Sequence, residues 1–309
     1  MSEPLIEELS EEAIEPIAVA KTTPSEDTQG HTVLVEPLQL KELPDAEDKM
    51  GWKVPAQLMR HWFSLRTDLR MDDEFKRAVY KDPNLLKPEQ YNDQIVTMAW
   101  AMQYKRAADA VTVLYNRWES ADGVDRLRKC LVDAGWTPDN PTPTPLGHAL
   151  TTAHQLRAAC QVNFERVGEI YDRLDDFYGA VGKGQFQVAV VGSALGNIFT
   201  VEWLGFYLYD TFDFEGDDQP LGVWSRDRCL GKIDTEKFLT ASVRTKGSTY
   251  KGFVPVYNRD FRRYQDKHKE GGDFVVYSDV YWVRPKYPRV DMSDDAQLEK
   301  RLSPAFGGP

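Results

Sequence analysis

The hydrophobic repeat of the chain changes near Gly184 from the period of helices to the period of strands. Between residues 50 and 182, apolar side chains recur three and four residues apart, which places them on one stripe of a helix. Beyond Gly184 the repeat shortens to about two, in β-branched and aromatic runs at 186–191 and 198–209. The change predicts an α+β fold, with an N-terminal helical bundle followed by a mostly antiparallel, strand-rich C-terminal domain.

Individual elements follow from the same patterns. We predict helices over about 54–63, 89–118, 121–134, 145–178 and 259–268. The helix over 145–178 is the longest, and Thr144-Pro145 supplies its cap and its first residue. A short strand is predicted over 253–257 and a long one over 273–283.

Charge separates the first residues from the rest of the chain. Residues 1–48 hold thirteen acidic residues and two lysines, which accounts for the whole net charge of −11. The neutral remainder offers no basic face, so nucleic acid is not expected as a partner. The same residues contain five prolines and no aromatic residue, which favours a disordered head over the alternative of a docking peptide.

These boundaries divide the chain into four parts. We predict a disordered acidic head, a helical domain, a β-rich domain that carries any activity, and an irregular tail, over residues 1–49, 50–182, 183–290 and 291–309. No apolar run approaches the roughly 18 residues of a membrane span, and the first residues lack the pattern of a signal peptide. We therefore expect no transmembrane segment, and synthesis in the cytoplasm without a signal peptide.

The three cysteines are widely spaced. Cys130 and Cys160 fall beside apolar neighbours on predicted helices, where a cysteine is usually a small buried hydrophobic residue. Cys229 stands apart from both, and the chain contains no CxxC pair. The cysteines therefore indicate neither a zinc site nor a disulfide framework.

The densest polar cluster follows the strand predicted over 198–209. It contains Asp210, Asp213 and Glu215. Clustered carboxylates at a strand end can bind a divalent cation, activate water, or simply cap a turn. Asp210 and Asp213 point to opposite faces of an extended segment, so a bend is needed to bring them together. We predict all three as catalytic residues and the two aspartates as metal ligands, with Mg²⁺ as the candidate cofactor.

Arg226, Arg228 and Asp279 complete the candidate site. Arginine side chains suit phosphate groups because their planar forks match phosphate oxygens. Asp279 lies within an otherwise apolar strand, so it needs a partner or must face a cleft. The arginines of the helix at 259–268 are interpreted instead as a solvated face paired with acids.

Familiar catalytic motifs are missing from the sequence. We find no P-loop, GxGxxG, HExxH or GxSxG motif. This weighs against nucleotide-dependent enzymes, dehydrogenases, zinc proteases and α/β-hydrolases.

Several stretches carry a resemblance to a known family. They are Gly51-Trp52-Lys53-Val54, Leu58 to Phe63, Cys160 to Phe164, Leu204 to Leu208, Asp210 to Phe214, Gln219 to Trp224, Gly272-Asp273-Phe274 and Ser278-Asp279-Val280. Over residues 50–285 the chain resembles proteobacterial proteins with a domain of unknown function that accompany type VI secretion spike genes. The resemblance implies an antibacterial effector exported to the periplasm of a target cell, with a spike or adaptor protein and an immunity protein as partners.

The segment from Asp210 to Asp213 also resembles the Asp-x-Tyr-Asp core of colicin M-type bacteriocins. Phe212 stands in the place of the tyrosine, Glu215 in that of a following asparagine, and Arg226 or Arg228 could replace the arginine of an absent His-Arg pair. Those toxins hydrolyse a lipid-linked peptidoglycan precursor beside its pyrophosphate, with magnesium. The resemblance implies a hydrolase of phosphoester or pyrophosphate bonds in a lipid-linked envelope precursor. The alternative is a non-enzymatic adaptor or binding protein of the secretion apparatus.

Overall fold

The computed structural model describes residues 38–66, 69–169, 171–242 and 249–293. Residues 1–37 of the disordered head predicted over 1–49, and residues 294–309 of the irregular tail predicted over 291–309, lie outside the described residues. Elsewhere the α+β fold class is confirmed, because the structure has helices at the N-terminus and a large, mostly antiparallel sheet.

The helices are short. In chain order they are α1 (Leu43–Lys49), α2 (Lys53–Ser64), α3 (Asp73–Lys81), α4 (Met98–Ala101), α5 (Lys105–Arg117), α6 (Ala121–Asp133), α7 (Ala153–Cys160), α8 (Asp176–Val181), α9 (Lys232–Thr240) and α10 (Asn258–His268). Single 3-10 turns lie at Leu40–Glu42, Pro83–Leu85 and Pro88–Gln90. Among the described residues, no helix combines the length and the apolar composition needed to cross a membrane.

The strands extend over both halves of the chain. They are β1 (Tyr91–Val96), β2 (Thr144–Leu146), β3 (Gln161–Val167), β4 (Gly184–Leu195), β5 (Ile198–Phe212), β6 (Pro220–Trp224), β7 (Val254–Tyr257), β8 (Phe274–Ser278), β9 (Tyr281–Val283) and β10 (Arg289–Asp291). The predicted strands at 186–191, 198–209 and 253–257 are confirmed. The strand predicted over 273–283 is interrupted at Asp279, so β8 and β9 are separate.

The main sheet is built around the β4–β5 hairpin. Its strand order is β1-β8-β5-β4-β2, with β3 also on β4, and β9 and β10 also on β5. The β1–β8 pair is parallel, whereas every other strand pair in this sheet is antiparallel. The boundary predicted between residues 182 and 183 therefore crosses one sheet, because β1, β2 and β3 precede it and pair with strands that follow it.

The helix predicted over 145–178 is wrong, as is the first part of the helix predicted over 89–118. Thr144-Pro145 belongs to β2, and the chain leaves α7 at Cys160 to enter β3 directly. Residues 161–167 have apolar positions that suit either a helix or a strand, and hydrogen bonding to β4 decides for the strand. Pairing with β8 decides in the same way for residues 91–96. The helices predicted at 54–63, 121–134 and 259–268 are confirmed.

Residues 38–49 are folded, although the sequence assigns them to the acidic head. Helix α1 buries Leu43, Ala46 and Glu47, and it packs against α2. Glu42 forms an ion pair with Arg226 at 3.0 Å. A helix of seven residues is not stable by itself, so its order comes from tertiary contacts that the local sequence does not reveal.

A buried ion pair ties α10 to β8 and α2. Asp273, which is fully buried, accepts two hydrogen bonds from the Arg262 guanidinium, at 3.0 and 2.7 Å. Its oxygens also accept from Trp62 Nε1 at 3.1 Å and from the backbone N–H of Met71 at 2.8 Å. The interpretation of Arg262 as part of a solvated helix face is therefore wrong, because the apolar side of α10 turns it into the core.

The cysteines are unpaired thiols. Cys130 and Cys160 are buried, as predicted, and Cys160 is completely enclosed between α7 and the sheet.

Candidate functional site

Two cavities adjoin at the C-terminal end of β5. We call the first the cationic cleft; it has a volume of about 820 Å³ and lies between α3, β3 and the end of β5. We call the second the aromatic cavity; it has a volume of about 770 Å³ and lies between α1, α8, β6 and the segment after β5. Both are lined by Asp73, Lys76, Lys183, Asp210 and Thr211. Asp210 therefore stands where the two cavities meet.

Asp210 lies between two strands and faces a glycine at the start of β4. Asp210 pairs with Val276 of β8, and on its other side β5 runs against β4. A Cβ atom at Gly184 would lie 3.5 Å from Asp210 Cγ and only 2.5 Å from Val181 Cγ1. The first distance is an ordinary contact and the second is a clash, so a larger residue at Gly184 would displace Val181 of α8, which lies beside Asp210 in the lining of the aromatic cavity.

The environment of Asp210 favours its protonated form. Burial raises the pKa of this carboxyl well above its ordinary value, and the nearby Asp213 raises the pKa further. The backbone N–H of Thr211 and the Lys76 ammonium act in the opposite direction without reversing the shift. A carboxylic acid that keeps its proton and borders a cleft is suited to act as a general acid.

Basic side chains surround the cationic cleft. They are Lys76, Arg77 and Lys81 from α3, Arg166 from β3, and Lys183 next to β4. Lys76 and Arg77 form ion pairs with Asp73, at 3.6 and 3.7 Å. Within the described ranges, no ion pair engages Lys81, Arg166 or Lys183. Positive charge thus exceeds negative charge around the cleft, which suits an anionic ligand such as a phosphate group.

A buried arginine supports the floor of this cleft. The Arg157 guanidinium lies 3.9 Å from the Tyr209 ring centroid and 4.8 Å from that of Tyr80, and both tyrosines line the cleft. It donates hydrogen bonds to Gln187 Oε1 at 3.0 Å and to the carbonyl of Tyr80 at 3.1 Å. Arg157 therefore fixes the ring that precedes Asp210 in the chain.

Asp213 makes the contacts of a turn cap. Its Oδ1 accepts a hydrogen bond from the backbone N–H of Glu215 at 3.1 Å and one from Lys76 Nζ at 3.3 Å. The bend after β5 brings Asp213 and Glu215 into the lining of the aromatic cavity together with Asp210. The structure thus gathers three of the predicted site residues.

The aspartate pair does not fit Mg²⁺ in this arrangement. The Lys76 ammonium lies 3.3 Å from Asp213 Oδ1, so a cation-binding position of this carboxylate is already taken by a positive charge. In the part of the chain that the structure describes, no three histidine, cysteine, aspartate or glutamate side chains are grouped to hold a metal ion.

The other three predicted residues lie apart from both cavities. Arg226 binds Glu42 and so anchors the segment before α1. The Arg228 guanidinium lies 5.0 Å from the centroid of the Phe253 ring. Asp279 is exposed, and its carboxylate accepts a hydrogen bond from the backbone N–H of Met98 at the start of α4. The expectation that it forms a buried ion pair or faces a cleft is therefore wrong.

Sequence reasoning missed the cations of α3. The segment from residue 65 to 82 is rich in charge without a regular pattern, and only tertiary structure carries it to Asp210. Its one local signal is Asp72, which caps α3 by accepting the backbone N–H of Phe75. A helix starting there places Arg77 and Lys81 one turn apart on the same side.

The comparison with protein families gives one match. Residues 38–291 match the model of a family of unknown function, DUF6402. Because the match covers most of the chain, the chain belongs to this family, which confirms the expected membership in a domain-of-unknown-function family. No curated protein and no solved structure matches the chain. The type VI secretion link and the colicin M comparison stay predictions.

Proposed function

We propose that this member of the DUF6402 family hydrolyses a phosphoester or pyrophosphate bond in the cationic cleft, with Asp210 as the general acid. One observation carries the proposal: a carboxyl group that favours its proton borders a cleft surrounded by five basic side chains. The basic side chains would hold the phosphate oxygens, while Asp210 would face the bond that breaks.

The reaction needs one proton donor and one water molecule. Water attacks phosphorus, the bond from phosphorus to the leaving oxygen breaks, and Asp210 gives its proton to that oxygen. The proton lost by the attacking water then restores Asp210, so the cycle balances. The basic side chains stabilise the negative charge that develops on the phosphate oxygens.

Lys76 is the residue that joins the two aspartates. Its ammonium lies 3.3 Å from Asp213 Oδ1 and lowers the pKa of Asp210, against the larger effect of burial. Asp213 in turn fixes Lys76 at the edge of the cleft. We therefore assign Asp213 a positioning role rather than contact with the substrate. No step of this reaction depends on magnesium.

The substrate and destination that we propose are those implied by the sequence resemblance. They are a lipid-linked envelope precursor that carries pyrophosphate, and the periplasm of a bacterium targeted by type VI secretion. The charge of the cleft supports a phosphate-bearing substrate, while the target cell, the spike or adaptor partner and the immunity partner rest on the resemblance alone.

A purified full-length protein tests the reaction directly. We expect it to release the phosphate-bearing head group of lipid-linked peptidoglycan precursor in detergent micelles. Asp210→Asn should lower the rate about 10²–10⁴-fold, because it removes the transferable proton with almost no change in volume. Asp217→Asn is the matched control, since Asp217 is exposed on the same segment and lines neither cavity.

The pH dependence and a killing assay complete the test. Only protonated Asp210 can donate, so the rate should fall as pH rises through its raised pKa. Expression directed to the periplasm should be toxic for the unaltered protein and harmless for Asp210→Asn. Unchanged activity in Asp210→Asn would refute the assignment. If the unaltered protein is itself inactive and harmless, the result favours the alternative of a non-enzymatic adaptor.

A further inference from the structure

The aromatic cavity contains a second buried acid that the proposed reaction does not use. Glu47 of α1 lines this cavity and is only 3% exposed, and its Oε2 has no hydrogen-bond partner. No ion pair engages Glu47 among the residues that the structure describes. Burial of a carboxyl group without a donor is unfavourable, so its presence beside a cavity requires an explanation.

A second unsatisfied acceptor lines the same cavity. Asn258, at the start of α10, is 2% exposed, and its Nδ2 donates to the carbonyl of Glu215 at 2.6 Å. The Oδ1 atom of the same side chain has no partner. Both orphaned groups are therefore acceptors. A ligand that satisfies them must bring hydrogen-bond donors.

The walls of the cavity add aromatic rings and further acidic side chains. Trp52 and Trp224 meet edge to face, with ring centroids 6.1 Å apart. Two of the acids that line the cavity have raised pKa values, so the lining becomes net negative only once Glu47 ionises. The lining acids are Glu47, Asp73, Asp210, Asp213 and Glu215, and the lining lysines are Lys76, Lys183 and Lys232. Aromatic rings attract cations through their negative faces, and indole is the most effective of them.

We infer that the aromatic cavity binds an ammonium group of a small amine or an amine-bearing ligand, with Glu47 as its counter-ion and Asn258 as a second acceptor. An ammonium group has three N–H donors and no acceptor, so it supplies the donors that the side chains of Glu47 and Asn258 lack. A neutral polyol adds an acceptor with every donor and supplies no charge to compensate Glu47.

Glu47 gives this site a distinctive response to pH. Burial raises its pKa to about 8, with contributions from Asp48 of α1 and Asp176 of α8, while Arg60 of α2 acts in the opposite direction. Cys229 also lies near Glu47, and burial raises the pKa of its thiol to about 11, so this group stays neutral. Ionised Glu47 is the binding form. Its fraction, and with it the affinity for an amine, should rise about tenfold from pH 7 to pH 9.

Calorimetric titration of the full-length protein tests the inference with two probes of equal length. We expect 1,5-diaminopentane to bind, about tenfold more tightly at pH 9 than at pH 7, and 1,5-pentanediol not to bind. Binding of both probes, or of neither, would overturn the inference without any variant. No turnover is measured, so a failure of the proposed hydrolysis leaves this result unaffected.

Two variants locate the effect. Glu47→Gln keeps the shape of the side chain and should abolish both the binding of the diamine and its rise with pH. Asp48→Asn is the matched control: it removes the neighbouring carboxylate, which contacts Lys53 and Arg60 and does not line the cavity. The comparison is made at pH 9, where Glu47 is already mostly ionised and the lower pKa of Glu47 in Asp48→Asn changes little; there the variant should bind the diamine within about twofold of the unaltered protein. Diamine binding by Glu47→Gln that still rises with pH would overturn the assignment of Glu47.

Discussion

Asp273 and Glu47 are both buried acids, and their surroundings are opposite. Asp273 is fully buried and accepts four hydrogen bonds, two of them from the Arg262 guanidinium. Glu47 is almost as deeply buried, yet its Oε2 accepts none. Asp273 lies between α2, α10 and β8, whereas Glu47 lies beside an open volume.

The difference separates two uses of a buried acid. A carboxylate with every oxygen satisfied has no capacity left for a ligand, so it holds elements together. When a carboxyl group is buried without hydrogen-bond donors, its pKa rises, and the group remains available to a ligand or a proton. Asp210 shares the raised pKa of Glu47, although its carboxyl group also interacts with the backbone N–H of Thr211.

The largest expected effect comes from removing Asp273, whose two oxygens both accept hydrogen bonds. Asp273→Ala leaves the Arg262 guanidinium buried without its counter-ion, which typically costs about 3–5 kcal/mol. Urea unfolding at pH 7 measures the loss. Asp227→Ala is the control, because Asp227 pairs with Lys49 on the surface. A loss below about 1 kcal/mol for Asp273→Ala would contradict a structural role for this centre.

Glu47 should have a smaller effect on the free energy of unfolding, and this effect depends on pH. The pKa of Glu47 is raised from its ordinary 4.5 to about 8, so the folded state holds the proton more tightly than the unfolded state. The resulting stabilisation is complete below pH 4.5 and is lost as pH rises to about 8. Between pH 6 and pH 9 it should fall by about 2–3 kcal/mol.

Glu47→Gln should remove this contribution, because glutamine does not titrate. The difference in the free energy of unfolding between variant and unaltered protein should therefore change with pH in favour of the variant. Urea unfolding at pH 6, 7.5 and 9 measures it. A difference that is independent of pH would show that Glu47 titrates normally.

The third prediction concerns Asp213, which is satisfied on one oxygen only. Asp213→Ala removes a turn cap and the nearer of the two ion-pair partners of Lys76, and by analogy with helix caps it should cost about 1 kcal/mol. Because Lys76 loses its anchor, hydrolysis should also weaken, mainly through a higher KM. Thermal unfolding and steady-state kinetics on one preparation report both. A fall in kcat as large as that of Asp210→Asn would give Asp213 a catalytic role instead.

The smallest effect calibrates the others. Lys105 and Asp109 form an exposed ion pair one turn apart on α5. Lys105→Ala should change the free energy of unfolding by less than about 0.5 kcal/mol, and added salt should reduce even this difference. A larger change in urea unfolding would mean that the surface of α5 has a role not seen in its contacts.

The sequence predicts the β4–β5 hairpin well because its hydrophobic pattern is local. Both strands read directly from their apolar runs, and the reversal between them falls at Gly196, whose φ of 59° suits glycine. The sequence does not predict β3, because the amphipathic stretch after α7 fits the period of a helix as well as that of a strand. Pairing with β4 settles that choice and leaves no trace in the local sequence.

The candidate site shows the same division. Asp210, Asp213 and Glu215 are neighbours in the chain, so the sequence finds them together, and the bend that it requires is present. The cations of α3 and the carboxyl of Glu47 come from distant segments, and only the fold brings them to the cavities. Arg226, Arg228 and Asp279 are drawn instead to Glu42, Phe253 and Met98.

The parallel pairing of β1 with β8 has a consequence for how the protein is made. Tyr91 pairs with Val275, so a segment that is synthesised early has its partner 184 residues later in the chain. The ribosome must release almost the whole described sequence before this edge of the sheet can close. Contacts between such distant segments fold slowly, and a nascent chain that stops before residue 274 lacks the strand that flanks Asp210. Any activity of Asp210 therefore arises only after the residues of β8 have left the ribosome.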